Sequence, residues 1–453
     1  MATVYKPNPR VGWRSIGEDV IAYSCDSHII TVWNEAGALI WMRLAPKGAT
    51  LHELTECLCA EYDVPAVTAE HDARSFLSTI SEEGFISGEQ WNDMHRGSTQ
   101  EAVDTLLMIE RIAIQHRIPY SVVIESTFTC NARCIHCYME QHGAMLSLEE
   151  LQHLFHALAR SGTLFLTLTG GEFFTRPDAV EILRAAAEAG FVIDILSNGT
   201  RIDETIIAAL RVAPVRRVQL SLYGSTADRH DAITRRTGSF TETLRAIYLL
   251  RAAKIKVECA MPLFRTTIDD AEQTRALVER LGCGFLPNHL IIAKNDGGTE
   301  PCNLRLSDAQ LREYFERPRI AALYRGRRPF AEHQYYLGAS DLQSTAPCYS
   351  GYNTCAIRPN GDVVPCNQFL YVLGNVRTQS FEEIWEKSPA LQHLRSIKVQ
   401  NLTTCRDCAL LPHCARCPGV ALLEAGDMLA ASPEHCRITR ITAEVAERRD
   451  TIG

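Results

Sequence analysis

Between about Tyr120 and Ile292, short β-branched runs alternate with amphipathic helical runs, and this alternation constrains the fold more than any other feature. The pattern predicts strands at 121–125, 164–169, 192–197, 218–222, 256–262 and 285–291. It predicts intervening helices at 147–160, 178–189, 202–212, 240–253 and 268–281. Ser147 followed by Glu150 reads as a capping box opening the first helix. Repeated strand-then-helix units imply an α/β chain with parallel strands joined by right-handed crossovers.

Cys130, Cys134 and Cys137, spaced C-x3-C-x2-C, directly follow the first of these strands. They therefore belong at the carboxyl end of the sheet, where parallel α/β folds place reactive groups. Three thiolates can bind three corners of a four-iron cubane and leave its fourth iron open, whereas an electron-transfer cluster normally has four protein ligands. A zinc site prefers four ligands in paired spacings and would need His136 or His142 to complete it. A second array comprises Cys348, Cys355, Cys366, Cys405, Cys408, Cys414, Cys417 and Cys436. Residues 357–365 fit a β-hairpin turning at Asn360-Gly361, which folds Cys355 back toward Cys366. A zinc knuckle competes for residues 405–417 alone, but the upstream loop and the eightfold count weigh against it. The remaining six cysteines (25, 57, 59, 259, 283 and 302) read as ordinary buried thiols.

The three-cysteine loop resembles that of the radical S-adenosylmethionine (radical SAM) enzymes, and Gly170-Gly171-Glu172 resembles their GGE motif. The resemblance implies a partial (β/α)6 barrel whose open iron binds the methionyl group of S-adenosylmethionine. Glycines let backbone approach a ligand closely, and Glu172 suits the methionyl ammonium. The loops carrying Ser197 and Ser221 are further cosubstrate candidates. Arg235 or Arg236 suits a carboxylate. His136 stands where the family usually has an aromatic residue, and its ring can pack on adenine. The C-terminal array resembles a SPASM extension, which carries two auxiliary four-iron clusters, hence three 4Fe-4S clusters in all. By position, Cys348, Cys355, Cys366 and Cys417 would hold the nearer auxiliary cluster, and Cys405, Cys408, Cys414 and Cys436 the outer one. The last spacing is x2 where that pattern usually has x3.

At the N-terminus, alternation over 20–24 and 28–33 predicts a hairpin turning at Asp26-Ser27. Helices are expected at 36–44, 50–62 and 69–83, with Gly84 as the final cap. Asn34, Leu39-Ile40-Trp41, Tyr62-Asp63-Val64 and residues 72–84 resemble the PqqD-like peptide chaperones, which are winged-helix-like precursor-recognition domains. That implies leader-peptide binding by β-augmentation on the edge 29–32, facing 69–77. A DNA-binding winged helix needs a basic face, yet residues 1–90 hold six Lys/Arg against thirteen Asp/Glu.

These readings divide the chain into a recognition domain (1–90), a linker with a helix near 99–115 (91–119), the barrel (120–310), a connector (311–347) and the cluster extension (348–453). The expected activity is maturation of a ribosomally made precursor peptide, with an oxidative thioether, ether or carbon–carbon crosslink. The expected reductant is a flavodoxin or ferredoxin. An oxidase like the anaerobic sulfatase-maturing enzymes, or a non-enzymatic iron–sulfur carrier or sensor, are the alternatives. No general base can be assigned; Glu258, His289 and Asn367 are positional candidates. A net charge of −8 argues against nucleic acid or an anionic membrane. No run approaches the roughly 20 apolar residues of a membrane span. Abundant cysteine without a secretion signal suggests the cytoplasm.

Overall fold

The computed structural model describes residues 3–87, 99–139, 143–324 and 341–450. His142 and parts of the expected linker and connector lie outside the described residues. The first unit contains β1 (Val4–Tyr5), β2 (Val11–Ile16), β3 (Asp19–Ser24), β4 (Ile30–Trp33), α1 (Glu35–Leu44), β5 (Ala49–Thr50), α2 (Leu51–Tyr62) and α3 (Ala66–Glu82). Strands β2, β3 and β4 form an antiparallel sheet in that order, so β4 is an edge. The hairpin and the three helices fall where the sequence places them. Strand β2 does not, because Trp13-Arg14-Ser15 offers no clean apolar alternation. Thr50 and Glu53 close a reciprocal capping box on α2. Trp33 packs on Trp41 with ring centroids 4.7 Å apart and on Phe85 at 5.0 Å, forming the centre of a separate small core.

Helix α4 (Thr99–His116) leads into six parallel strands: β6 (Ser121–Glu125), β7 (Phe165–Thr169), β8 (Val192–Ser197), β9 (Val215–Ser221), β10 (Val257–Pro262) and β11 (Gly284–Asn288). Between them run α5 (Leu148–Arg160), α6 (Ala179–Glu188), α7 (Glu204–Val212), α8 (Ala227–Thr234), α9 (Ser239–Ala252) and α10 (Ala271–Arg280). The capping box at Ser147 forms as expected, with Glu150 N–H donating to Ser147 Oγ at 3.1 Å and Ser147 N–H to Glu150 Oε2 at 2.7 Å. Helix α8 has no sequence signal, since only Ile233, His230 and Thr234 of its polar run are buried.

The sheet does not stop at β6. Strand β12 (Thr354–Ile357) pairs with β6 in parallel, setting Cys355 opposite Val122 and Ile357 opposite Ile124. Strands β13 (Asp362–Val364) and β14 (Gly374–Asn375) add antiparallel, giving nine strands in the order β11-β10-β9-β8-β7-β6-β12-β13-β14. The cysteine-bearing hairpin is thus a continuation of the barrel wall, with Gly361 at φ +92° in its turn. No described helix is long and apolar enough to cross a membrane.

Candidate active site

The loop after β6 carries Cys130, Cys134 and Cys137, and its backbone is pinned by neighbours. Arg133 N–H donates to Thr234 O and Ile135 N–H to Ile233 O, each at 3.0 Å, so the end of α8 supports the loop. Asn131 Nδ2 donates to Thr200 Oγ1 at 2.8 Å and Asn198 Nδ2 to Asn131 Oδ1 at 2.9 Å, tying the loop to the end of β8. The three thiols act electrostatically on one another, and burial pushes Cys134 up to about 12.

Gly170 and Gly171 serve close packing, but against protein. A Cβ on Gly170 would meet Thr127 O at 2.6 Å, and one on Gly171 would meet Thr129 O at 2.5 Å. Both glycines therefore admit the Thr127–Thr129 segment that leads to Cys130. Glu172 is buried, and its carboxylate accepts from Ser197 Oγ (2.8 Å), Asn198 N–H (2.6 Å) and Phe174 N–H (3.1 Å). Burial still raises its pKa above the ordinary value. A carboxylate has about four acceptor positions, so one further donor fits.

His136 lies against Tyr223 at 4.9 Å and Phe264 at 5.1 Å between ring centroids, and burial pushes it down to about 4. Its buried Nδ1 has no hydrogen-bond partner among the described residues. The Tyr223 phenol has both Ser221 and Cys134 as electrostatic neighbours. Arg236 is committed to Glu242. Arg235 closes α8 at φ +52° with its side chain exposed.

Around the second array, Cys366 acts on Cys348 and Cys417, while Cys436 acts on Cys405 and Cys408, and Cys414 on Cys405 and Cys436. The fully buried Cys355 has Arg395 as its electrostatic neighbour. All seventeen cysteines are free thiols. Backbone N–H groups already point at sulfur, from Ala132 to Cys130 (3.4 Å), Ser350 to Cys348 (3.4 Å) and Val420 to Cys417 (3.5 Å). Free thiols met by backbone donors are the chemistry a sulfur-ligated iron cluster requires. Among the described residues no group of His, Cys, Asp and Glu converges on one common ion. A cubane differs from a single ion in placing its ligands on separate irons.

Of the candidate bases, Glu258 is the second residue of β10 and pairs with Arg217 at 2.5 Å and Lys256 at 3.4 Å, toward the strand ends remote from the cysteine loop. His289 packs on Phe315 at 5.2 Å. Asn367 meets the loop, its Nδ2 donating to the Tyr138 phenol at 3.3 Å. Tyr138 and Tyr223 were not singled out from the sequence, although each follows a recognisable feature: the last cysteine of the loop and the end of β9.

The radical SAM superfamily model matches residues 124–278, which span the loop and the strands that position it. The chain is a radical SAM enzyme. An iron–sulfur cluster-binding SPASM domain matches residues 348–409, and the coenzyme PQQ synthesis protein D family matches residues 21–86. Cys414, Cys417 and Cys436 of this radical SAM enzyme lie beyond the SPASM match. Among curated relatives, an AdoMet-dependent heme synthase of Methanosarcina barkeri is 27% identical over 70% of this chain and 95% of its own. The PqqA peptide cyclase of Ruegeria pomeroyi is 27% identical over 71% of this chain and 90% of its own. Streptococcus suis SuiB, solved bound to the precursor peptide SuiA, shares the fold with a TM-score of 0.60 at 14% identity, covering 95% of this chain and 99% of that one.

Proposed function

We propose that this radical SAM enzyme is a peptide maturase, which grips a ribosomally made precursor by its leader and modifies a core residue after hydrogen abstraction. The observation that carries the reading is the edge strand β4, unpaired on its outer side among the described residues, in a domain matching the PqqD family. An extended peptide adds to such an edge through main-chain hydrogen bonds. The partition into a recognition domain (1–90), linker, barrel (120–310), connector and extension (348–453) is part of this proposal. The likeness to the heme synthase leaves three tenths of the chain unmatched, and a small-molecule enzyme needs no leader-binding domain.

In this reading Cys130, Cys134 and Cys137 hold one 4Fe-4S cluster. Cys348, Cys355, Cys366 and Cys417 hold a nearer auxiliary cluster, and Cys405, Cys408, Cys414 and Cys436 an outer one. Bound S-adenosylmethionine and the first cluster would together supply a 5′-deoxyadenosyl radical. Glu172, with Gly170, Gly171 and Ser197 shaping its loop, accepts the methionyl ammonium. Arg235 takes the carboxylate, since Arg236 is occupied by Glu242. Ser221 and His136 border the nucleoside. A flavodoxin or ferredoxin in the cytoplasm delivers the electron.

The product is an oxidative crosslink of thioether, ether or carbon–carbon type, formed with net loss of two hydrogens from the peptide. Asn367 stands where the sulfatase-maturing enzymes carry a basic aspartate, and a neutral amide cannot take up that proton. The test is anaerobic co-expression with each small reading frame encoded beside the gene, followed by mass spectrometry. One peptide should lose the mass of two hydrogens, and Cys130→Ala should abolish the change. Unaltered peptides throughout, from protein that still cleaves S-adenosylmethionine, would overturn the proposal.

A further inference from the structure

Arg416 lies inside the second cysteine array, between Cys414 and Cys417, and is only 4% exposed. Its Nη2 donates to Met428 O and, at 2.7 Å, to Ala430 O. Its Nε and Nη1 are buried with no hydrogen-bond partner among the described residues. No described carboxylate forms an ion pair with it. A guanidinium cannot shed its proton in a protein, so burial leaves a permanent charge with two idle donors. Buried charges are strongly unfavourable without a counter-charge. Its charge disfavours protonation of the neighbouring His435 ring and favours the thiolates of both Cys417 and Cys436.

In the partition above, which this inference rests on, Cys417 belongs to the nearer auxiliary cluster and Cys436 to the outer one. Both ligand sets are polyanionic when loaded with iron. We propose that Arg416 is a shared cationic donor between the two auxiliary clusters, with Nε and Nη1 directed at their sulfur atoms. Net charge and hydrogen bonds to sulfur set the reduction potential of such clusters. A cation between them raises both potentials and so favours their reduced forms. Arg416 is thereby a positioning residue for electrons rather than a catalytic one.

The experiment is a potentiometric titration of the anaerobically reconstituted full chain, followed by electron paramagnetic resonance, for wild type, Arg416→Gln and Arg416→Lys. At a fixed ambient potential, Arg416→Gln should lower the reduced-to-oxidised ratio of both auxiliary clusters at least tenfold, about 59 mV for a one-electron couple. The cluster at Cys130, Cys134 and Cys137 should keep its potential, and Arg416→Lys should restore most of the shift. Fully loaded Arg416→Gln protein with both auxiliary potentials unchanged, or with only one moved, overturns the proposal. If Arg416→Gln loses iron, wild-type protein labelled with 15N-arginine decides. Pulsed resonance on the reduced clusters should show arginine nitrogen coupled to both auxiliary signals, and its absence overturns the proposal. Wild-type protein that takes up iron for a single cluster removes the partition itself. Full iron with unmoved potentials removes only the role of Arg416.

Discussion

Gly171 shows how little slack the cysteine loop has. A methyl there would meet Thr129 O at 2.5 Å and Phe128 O at 2.7 Å, both main-chain atoms that cannot rotate away. Gly171→Ala should cost roughly 1–3 kcal/mol as overpacking. Because the displaced segment is the one that delivers Cys130, the loss should fall on the first cluster. Iron analysis with electron paramagnetic resonance should show that signal depleted while the auxiliary signals persist. His230 supports the same loop from behind. It is 1% exposed, its Nδ1 accepts from Tyr223 N–H at 3.1 Å, and its ring stacks on Tyr223 at 5.5 Å. Burial pushes it down to about 4. In the unfolded chain the imidazole titrates near 6.5, so acid favours unfolding. The neutral ring's contribution is complete above about pH 6.5 and is lost as pH falls toward 4, on the order of 3 kcal/mol. His136, His289 and His435 are displaced in the same direction. The unfolding midpoint should therefore fall between pH 7 and 4.5, and His230→Gln, which keeps an acceptor without titrating, should make that slope shallower.

Strand β4 is where the proposed function becomes testable at the level of an element. Ser24 N–H donates to Ile29 O at 2.9 Å, and alternate residues of an antiparallel strand turn their main-chain groups to opposite sides. The groups of Thr31 and Trp33 therefore face β3, and those of Ile30 and Val32 face outward. Proline at position 32 removes an outward N–H while leaving the ladder to β3 intact. Val32→Pro should abolish the mass change of a co-expressed precursor and leave reductive cleavage of S-adenosylmethionine unaltered. Loss of both activities would show that the fold, not the edge, had failed. Elements like β4 were legible in the sequence because their signals are local: alternation, caps and turn residues within a few positions. The six barrel strands and the Ser147 capping box were legible for the same reason. What the sequence did not disclose is non-local. Strand β12 joins β6 across more than two hundred residues, and nothing in Thr354–Ile357 names that partner. Likewise, Gly170 and Gly171 signal close approach without saying that the approaching group is the Thr127–Thr129 backbone. Among the cofactor candidates, sequence could not separate Arg235 from Arg236, because the Glu242 partner that occupies one of them follows a turn.

At the scale of the whole molecule, the recognition domain docks on the amino-terminal ends of the barrel strands. Trp13 N–H donates to Gly190 O at 3.2 Å, Tyr23 meets Phe165 at 6.0 Å, and Arg10 Nη1 donates to Ala213 O at 3.1 Å and Leu210 O at 3.3 Å. The loop carrying Cys130, Cys134 and Cys137 lies at the opposite, carboxyl ends. Arg10 also pairs with Asp26 at 2.6 Å, so a single side chain holds the hairpin and fastens it to the barrel. Arg10→Ala should leave cleavage of S-adenosylmethionine unchanged but lower peptide modification severalfold, because a loosened tether reduces the local concentration of the core. Hydrogen exchange should rise across Val11–Ile16 in that variant. The same geometry sets a minimum length on the substrate. Strand β9 alone runs seven residues from the docked face to the loop face. At about 3.3 Å per residue that is roughly 23 Å, and an extended peptide covers it with no fewer than about seven residues. A leader held on β4 therefore cannot present a core residue closer than that. Stepwise deletion between leader and core of a co-expressed precursor should leave modification intact until the spacer approaches seven residues, then extinguish it while leader binding persists. Modification that survives a spacer of two or three residues would mean that the leader is gripped elsewhere, or that the recognition domain leaves its dock before the radical forms.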